Sequence, residues 1–428
     1  MAAARALDRL SAFDLTSLAV EAPDTPMHVG VVAVLDGRLP LADIRARILD
    51  GVRAVPRLRQ VVCQPARRPR WVDAPAFRIE DHVVPVAVEP PGDEAELLRL
   101  TARLMAVPLD RSRPLWRIWV VTGRPDRRLA LVVALHHAIG DGTAALRIIR
   151  TLLDPSWRDA AGRPRRTIGG TGVRRSPRAV WRTLRQTGSA PRTSLNAPIG
   201  AGRRLGLIRL DLAEAKVVAH HAGGKVNDVV LGLIGGGLRS LLQTRGEPVE
   251  GVELRVAVAV SLREPGERAA YGNRNGSIVV RLPLHGADCG ARLRAVAAAT
   301  ARAKREQAAI AQQHCMVLAV RAGLARRLSR NQHMVNLVES NLPGPPDPVR
   351  ALGLPVLHLL PIGAIAGNLT ITFLALSYAG ELVITTIADR GRVPDLPVVL
   401  AGMRREWHTL RSGTRVGTFG PAAGSSGA

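Results

Sequence analysis

Aromatic residues, lysine and cysteine are all scarce in this chain, and each shortage excludes something. Phe, Trp and Tyr make up 3% of the 428 residues. No interleaving of aromatics with basic residues, the pattern of a base-stacking surface, is visible. Lysine occurs three times, as Lys216, Lys225 and Lys304, so the formal net charge of +25 is almost all arginine. Arginine this abundant beside Ala, Gly and Pro reads as the composition of a GC-rich genome, which lowers its functional weight. No nucleic-acid partner is expected. The cysteines, Cys63, Cys289 and Cys315, are odd in number and widely spaced. Without a CxxC or zinc pattern, no metal site is expected, and a reduced cytoplasmic compartment fits. A long uninterrupted apolar run is also missing. The stretch from Leu352 to Tyr378 is broken by Pro355, His358, Pro361, Gly363, Gly367 and Asn368, so buried strands are expected there rather than a membrane span. The first residues carry Arg5, Asp8, Arg9 and Asp14 and lack the apolar core of a secretory signal.

What is present is aliphatic. Hydrophobic residues are 46% of the chain, enough for globular packing, and the length suggests two domains. The most informative run is His136-His137-Ala138-Ile139-Gly140-Asp141-Gly142, of the form HHxxxDG. It follows Leu129 to Leu135, an aliphatic stretch that reads as a buried strand. Successive side chains on a strand point to opposite faces. His136 and His137 therefore do not enter one cavity, which argues against a shared metal. One histidine faces a site and the other faces packing. A single histidine suits a general base, because its unperturbed pKa lies near neutrality. Asp141 lies where a carboxylate paired with an arginine holds the loop. Gly140 and Gly142 permit backbone angles or close approaches that other residues resist.

Elsewhere the first half mixes α and β. Strands are expected at His28 to Leu35, Arg117 to Thr122 and Leu129 to Leu135. Helices are expected at Leu41 to Val55, Glu94 to Met105 and Thr143 to Leu153. Arg158 to Arg192 holds ten arginines against one acid, Asp159, and reads as a linker. Within it Val180, Trp181 and Leu184 share a helical face beside Arg178, Arg182 and Arg185. That is the make-up of a turn resting on an anionic bilayer, or of a solvated connector. In the second half Asn227 is placed as the N-cap of a helix from Val229 to Leu242, with Asp228 complementing its dipole. Further expectations are strands at Arg255 to Val260 and Met334 to Glu339, and a long helix from Ala291 to Gln313. A hairpin turning at Ala379-Gly380 joins Leu369 to Ser377 with Leu382 to Ala388. A last helix spans Pro394 to Leu410, and Ser412 to Ala428 reads as a disordered tail.

HHxxxDG resembles the motif of acyltransferases that use a histidine base and a CoA or carrier-protein thioester, among them chloramphenicol acetyltransferase and peptide-synthetase condensation domains. More segments resemble the bacterial wax ester synthase/acyl-CoA:diacylglycerol acyltransferase family. They are Asp14, Pro26-Met27-His28-Val29-Gly30, Pro108 to Trp116 (PLDRSRPLW), Asn196 to Gly200 with Arg203 and Arg204, Asn227 to Leu231 (NDVVL), Ser261-Leu262-Arg263, Gly272-Asn273-Arg274, and Ser340 to Pro345 (SNLPGP). They run in the family's order from about Leu10 to about Leu410.

The resemblance implies an α/β fold of two chloramphenicol-acetyltransferase-like domains, each a mixed sheet with flanking helices, and an active-site tunnel between them. The domains fall at 1–155, carrying HHxxxDG, and 196–411, joined by the basic linker 156–195 and followed by the tail 412–428. It implies that His137 is the base and that His136 orients or packs, with Asp141 and Gly142 structural. Asn227, Asp228, Ser340 and Asn341 are candidate substrate contacts, the last two as oxyanion donors. The implied reaction is transfer from long-chain acyl-CoA, as co-substrate, to diacylglycerol or a fatty alcohol, with no cofactor and no covalent enzyme intermediate. The implied location is cytoplasmic, peripheral at an anionic inner membrane or lipid droplet. A condensation-type enzyme acting on a secondary metabolite and a non-catalytic lipid-binding relative are the alternatives.

Overall fold

The computed structural model describes residues 9–63, 69–126, 128–154, 188–261, 275–286, 288–306 and 323–415. The amphipathic turn around Trp181, most of the predicted linker and the segments Leu262-Arg263 and Gly272 to Arg274 lie outside the described residues.

Two six-stranded mixed sheets carry the fold. The first takes β1 (His28–Leu35), β4 (Val83–Ala87), β5 (Trp116–Thr122) and β6 (Leu129–His136), with β2 (Gln60–Cys63) and β3 (Arg70–Asp73) forming a separate ribbon. The second takes β7 (Arg203–Asp211), β8 (Glu253–Ser261), β9 (Asn275–Pro283), β10 (Leu337–Pro343), β13 (Ile371–Tyr378) and β14 (Glu381–Asp389) in the order β7-β14-β13-β10-β8-β9. Between β10 and β13 come β11 (Arg350–Ala351) and β12 (Leu354–Ile362). These join the first sheet, in the order β11-β12-β1-β6-β5-β4. Residues 350–362 lie in the expected second domain, so the division at 155 and 196 does not separate the sheets.

Every residue of β6 is buried because both faces of its sheet are covered. Leu131, Val133 and Leu135 pack with Ile44, Ile48 and Val52 of α2 (Leu41–Ala54) and Ile148 and Leu152 of α4 (Gly142–Leu153). Ala130, Val132 and Ala134 face the other way, toward Leu97 and Leu100 of α3 (Glu94–Met105) and toward Leu207 and Val383 of the second sheet. Each such aliphatic side chain contributes about 1.5–3 kcal/mol when fully buried. The two halves thus share a core at the β6 face that carries His136.

In the second half α5 (Leu212–His221), α6 (Val226–Thr244), α7 (Cys289–Glu306) and α9 (Leu396–Arg415) cover one face of the sheet. The remaining helices are α1 (Ala12–Val20) and the short α8 (Ala325–Arg330). Gly236 and Gly237 sit inside α6, where each glycine costs about 1 kcal/mol of helix propensity. A Cβ on Gly237 would stand 2.7 Å from the Val399 carbonyl oxygen. The glycines are what let α9 cross this closely.

Three sequence expectations need correction. The strand expected at Met334 to Glu339 is β10, which runs on to Pro343, because parallel pairing with β13 continues through Ser340, Asn341 and Leu342. The helix expected from an Asn227 cap begins at Val226, with Lys225 as N-cap and Asp228 reaching back to the Lys225 amide at 2.7 Å. The last helix continues to Arg415, so the first residues of the expected tail are helical. The predicted hairpin forms, and Ala379 (φ 46°) and Gly380 (φ 85°) take the left-handed conformation its tight turn requires.

Candidate active site

The HHxxxDG loop is pinned from both sides. The His136 amide donates to the Leu115 carbonyl at 2.8 Å, and the His137 amide donates to the Met27 carbonyl at 2.7 Å. Leu115 and Met27 belong to the PLW and PMH segments, so those segments close the loop. Asp141 is fully buried and is the N-cap of α4. Its Oδ1 accepts from the Ala144 amide at 2.9 Å and the Thr143 hydroxyl at 2.7 Å. These contacts make the carboxylate a helix cap, where the sequence suggested a pairing with an arginine. Gly142 is needed for approach: a Cβ there would stand 3.0 Å from Leu342 Cδ1 of β10. Ala138 and Ile139 share a core cluster with Leu376 and Tyr378, and Leu342 packs against it. The loop is therefore where the second sheet meets the first.

His136 and His137 have different neighbours. His136 is buried beside its cross-strand partner His28. Its Nδ1 accepts from the Ala138 amide at 2.9 Å, and its Nε2 lies 3.2 Å from Glu21 Oε1. Glu21 Oε2 accepts from Arg111 Nε at 3.0 Å and Nη2 at 2.7 Å. Burial alone pushes the Glu21 carboxyl up, but His136, Arg111 and the Met27 amide together hold it down at about 2. An array Arg111–Glu21–His136 thus stands behind the loop. The His28 Nε2 accepts from the Leu109 amide at 3.3 Å. Burial and then the neighbouring His136 hold the His28 pKa near 4.

His137 packs against the Phe13 ring at 5.3 Å between centroids. Burial, and then His136, bring its pKa down to about 4, against the opposing pull of Asp141 and of its own main-chain carbonyl. At neutral pH the ring is therefore a neutral imidazole.

Ser340 and Asn341, expected together, are parted by strand alternation. Ser340 shares its face with Leu342, which touches Gly142. Asn341 faces the helix layer and lines a cavity of about 480 Å³ with Asn227, Lys216, Lys304 and Tyr378. The two therefore do not converge on one oxyanion. Beneath that cavity the Asn227 side-chain amide donates to Glu339 Oε2 at 3.4 Å. Burial, and then Asp228, push the fully buried Glu339 carboxyl up to about 8. Asn227 Oδ1, Asp228 Oδ1 and Glu339 Oε1 are buried without a hydrogen-bond partner among the described residues. Trp116 is structural: it is buried, donates from Nε1 to the Leu58 carbonyl at 2.8 Å and stacks on His82 at 4.4 Å. Among the described residues no cluster of His, Cys, Asp and Glu could hold a metal, and no helix is long and apolar enough to cross a membrane.

Sequence reasoning missed Glu21, Arg111 and Glu339. Arg111 lay inside the quoted PLDRSRPLW segment. Glu21 had no local signal beyond an acid at the end of an apolar helix.

The family model described as the wax ester synthase/diacylglycerol acyltransferase catalytic domain matches residues 10–184 and 171–230, and that of the WS/DGAT C-terminal domain matches residues 271–411. The probable diacylglycerol O-acyltransferase tgs1 of Mycobacterium tuberculosis is 31% identical, covering 90% of this chain and 92% of its own. The putative diacylglycerol O-acyltransferase Rv1760 of that organism is 30% identical, covering 91% and 88%. Among solved structures, the wax ester synthase/diacylglycerol acyltransferase of Marinobacter aquaeolei VT8 aligns with a TM-score of 0.74 at 23% identity, over 95% of this chain and 99% of its own. The starter condensation domain of rhizomide synthetase RzmA aligns at 0.65 and 15% identity, over 97% and 96%. At these identities the structural likeness is one of fold, and it places both sheets in the chloramphenicol-acetyltransferase-like arrangement expected from the sequence.

Proposed function

The chain belongs to the wax ester synthase/diacylglycerol acyltransferase family of acyltransferases, and we propose that it moves a long-chain acyl group from CoA to the free hydroxyl of diacylglycerol or of a fatty alcohol. The products are triacylglycerol or a wax ester. The observation that carries this reading is His137, a neutral imidazole at the loop where the two halves meet.

A thioester is already activated, so no enzyme-bound acyl group is needed. The acceptor hydroxyl gives its proton to His137 as its oxygen attacks the thioester carbon, and the carbonyl electrons move to the oxygen. The C–O bond is then formed. The tetrahedral species collapses, the C–S bond breaks, and the CoA thiolate takes the proton back from the imidazolium. Burial keeps the base neutral but makes the imidazolium costly, and Asp141 offsets part of that cost. Ser340, on the face turned to Gly142, is the better placed of the two polar candidates to donate to the oxyanion. Asn227 and Asn341 line the cavity on the opposite face and are substrate contacts in this reading. Asp228 holds the start of α6. Both acceptors reside in bilayers or lipid droplets, so the enzyme works at such a surface as a peripheral protein.

The test is CoA release from palmitoyl-CoA with dipalmitoylglycerol, with hexadecanol and with no acceptor, by the wild type and by His137→Ala. Acceptor-dependent release that falls by about 10²–10⁴-fold in the variant, at an unchanged melting temperature, is the expected result. Wild-type release that ignores both lipids, or a variant with normal turnover, overturns the reading.

A further inference from the structure

The cavity on the helix side of the second sheet is lined by two of the three lysines in the chain. Lys216 comes from α5 and Lys304 from α7, and both are exposed at its edge. Neither has an ion-pair partner among the described residues. Val226 and Asn227, the first residues of α6, also line it, so the positive end of a nineteen-residue helix opens on the same space. Its volume of about 480 Å³ lies within the ordinary range of ligand pockets, about 300–1,000 Å³. The acid beneath adds no negative charge at neutral pH, because burial keeps Glu339 protonated up to about 8. The far wall, Asn341 and Pro343 to Pro346 with Ser377 and Tyr378, adjoins Leu342 and the cluster that holds the HHxxxDG loop. In a CoA thioester the phosphates and the reacting carbon are separated by a long pantetheine arm. A site for the phosphates therefore has to lie apart from the histidine and yet next to its loop.

We propose that this cavity binds the adenosine phosphate end of the CoA donor, with Lys216 and Lys304 pairing with its phosphates. This rests on CoA being the donor, so the experiment has an arm independent of turnover. Calorimetric titration with adenosine 3′,5′-bisphosphate and with inorganic phosphate is compared for the wild type, Lys216→Ala, Lys304→Ala and the double variant. The bisphosphate binds the wild type more tightly than inorganic phosphate does, and each substitution weakens it up to about fivefold at low salt, the range of an exposed ion pair. In the kinetic arm the KM for palmitoyl-CoA rises by the same factor, while the KM for S-palmitoyl-pantetheine, which has no phosphate, does not follow. Equal binding of bisphosphate and inorganic phosphate overturns the proposal. So do lysine variants that bind the bisphosphate like wild type, or a parallel rise in KM for both donors. Bisphosphate binding that depends on the lysines in a protein that turns over neither donor keeps this site and overturns the proposed reaction instead.

Discussion

Two buried glutamates stand in the two halves and end in opposite charge states. Glu21, behind the histidine loop, is 5% exposed and held ionised, its carboxyl near 2. Glu339, beneath the lysine-edged cavity, is 0% exposed and held protonated, its carboxyl near 8. Burial pushes both upward. What differs is supply. Glu21 has a guanidinium, an imidazole and an amide within reach, whereas Glu339 has one side-chain amide and the nearby carboxylate of Asp228. Partners, more than depth, decide whether a buried acid carries charge.

This contrast breaks or sharpens by substitution, beginning with the largest effect. Glu21→Gln removes the charge shared by Arg111 and His136, and is expected to cost about 2–3 kcal/mol in denaturant unfolding together with a drop in transfer rate as His136 loses its anchor. Arg111→Ala costs less, about 1 kcal/mol, because that guanidinium is 44% exposed. Glu339→Gln changes stability by less than about 0.5 kcal/mol at pH 4.5 and below, where the carboxyl is neutral folded or unfolded, and raises it by about 2–3 kcal/mol at neutral pH, where the wild type must take up a proton to fold. A loss as large as that of Glu21→Gln would mean that Glu339 is ionised and the contrast false.

The pH dependence carries opposite signs. The depressed Glu21 contributes stability that is present above its ordinary pKa of 4.5 and lost as pH falls toward about 2. With Glu339 raised, the unfolded chain releases its proton near 4.5 and the folded chain keeps it to about 8. Stability therefore falls as pH rises across that window, and Glu339→Gln flattens the slope. The smallest effect is on the rate profile. With the His137 pKa near 4, kcat/KM is expected to show no step near the ordinary histidine value of 6.5. A step there would show that the free enzyme's base is more solvated than its surroundings allow.

Much of this was legible in the sequence where the signal is local. The spans β1, β6 and α3, and the hairpin turn at Ala379-Gly380, follow from periodicity and turn chemistry. So does the divergence of His136 and His137, which needs only the alternation of a strand. What was not legible depends on distant neighbours. Ser340 and Asn341 look like a polar loop until pairing with β13 carries the strand through them. Asn227 looks like a cap until Lys225 takes the position and Asp228 reaches back. Glu21 acquires its meaning from Arg111, ninety positions along the chain.

The crossing of β12 into the first sheet also has a consequence for synthesis. Val31 lies between Val133 on one side and Pro361 on the other. While the chain is being made, β1 can pair with β6 early, but its outer hydrogen-bonding edge stays open until residue 362 has left the ribosome. At about 5–20 residues per second that interval lasts tens of seconds, and an open, largely aliphatic edge is a template for pairing with another chain. A chain cut short before Leu354 therefore yields a first half that is fully encoded yet one strand from closure and prone to aggregate.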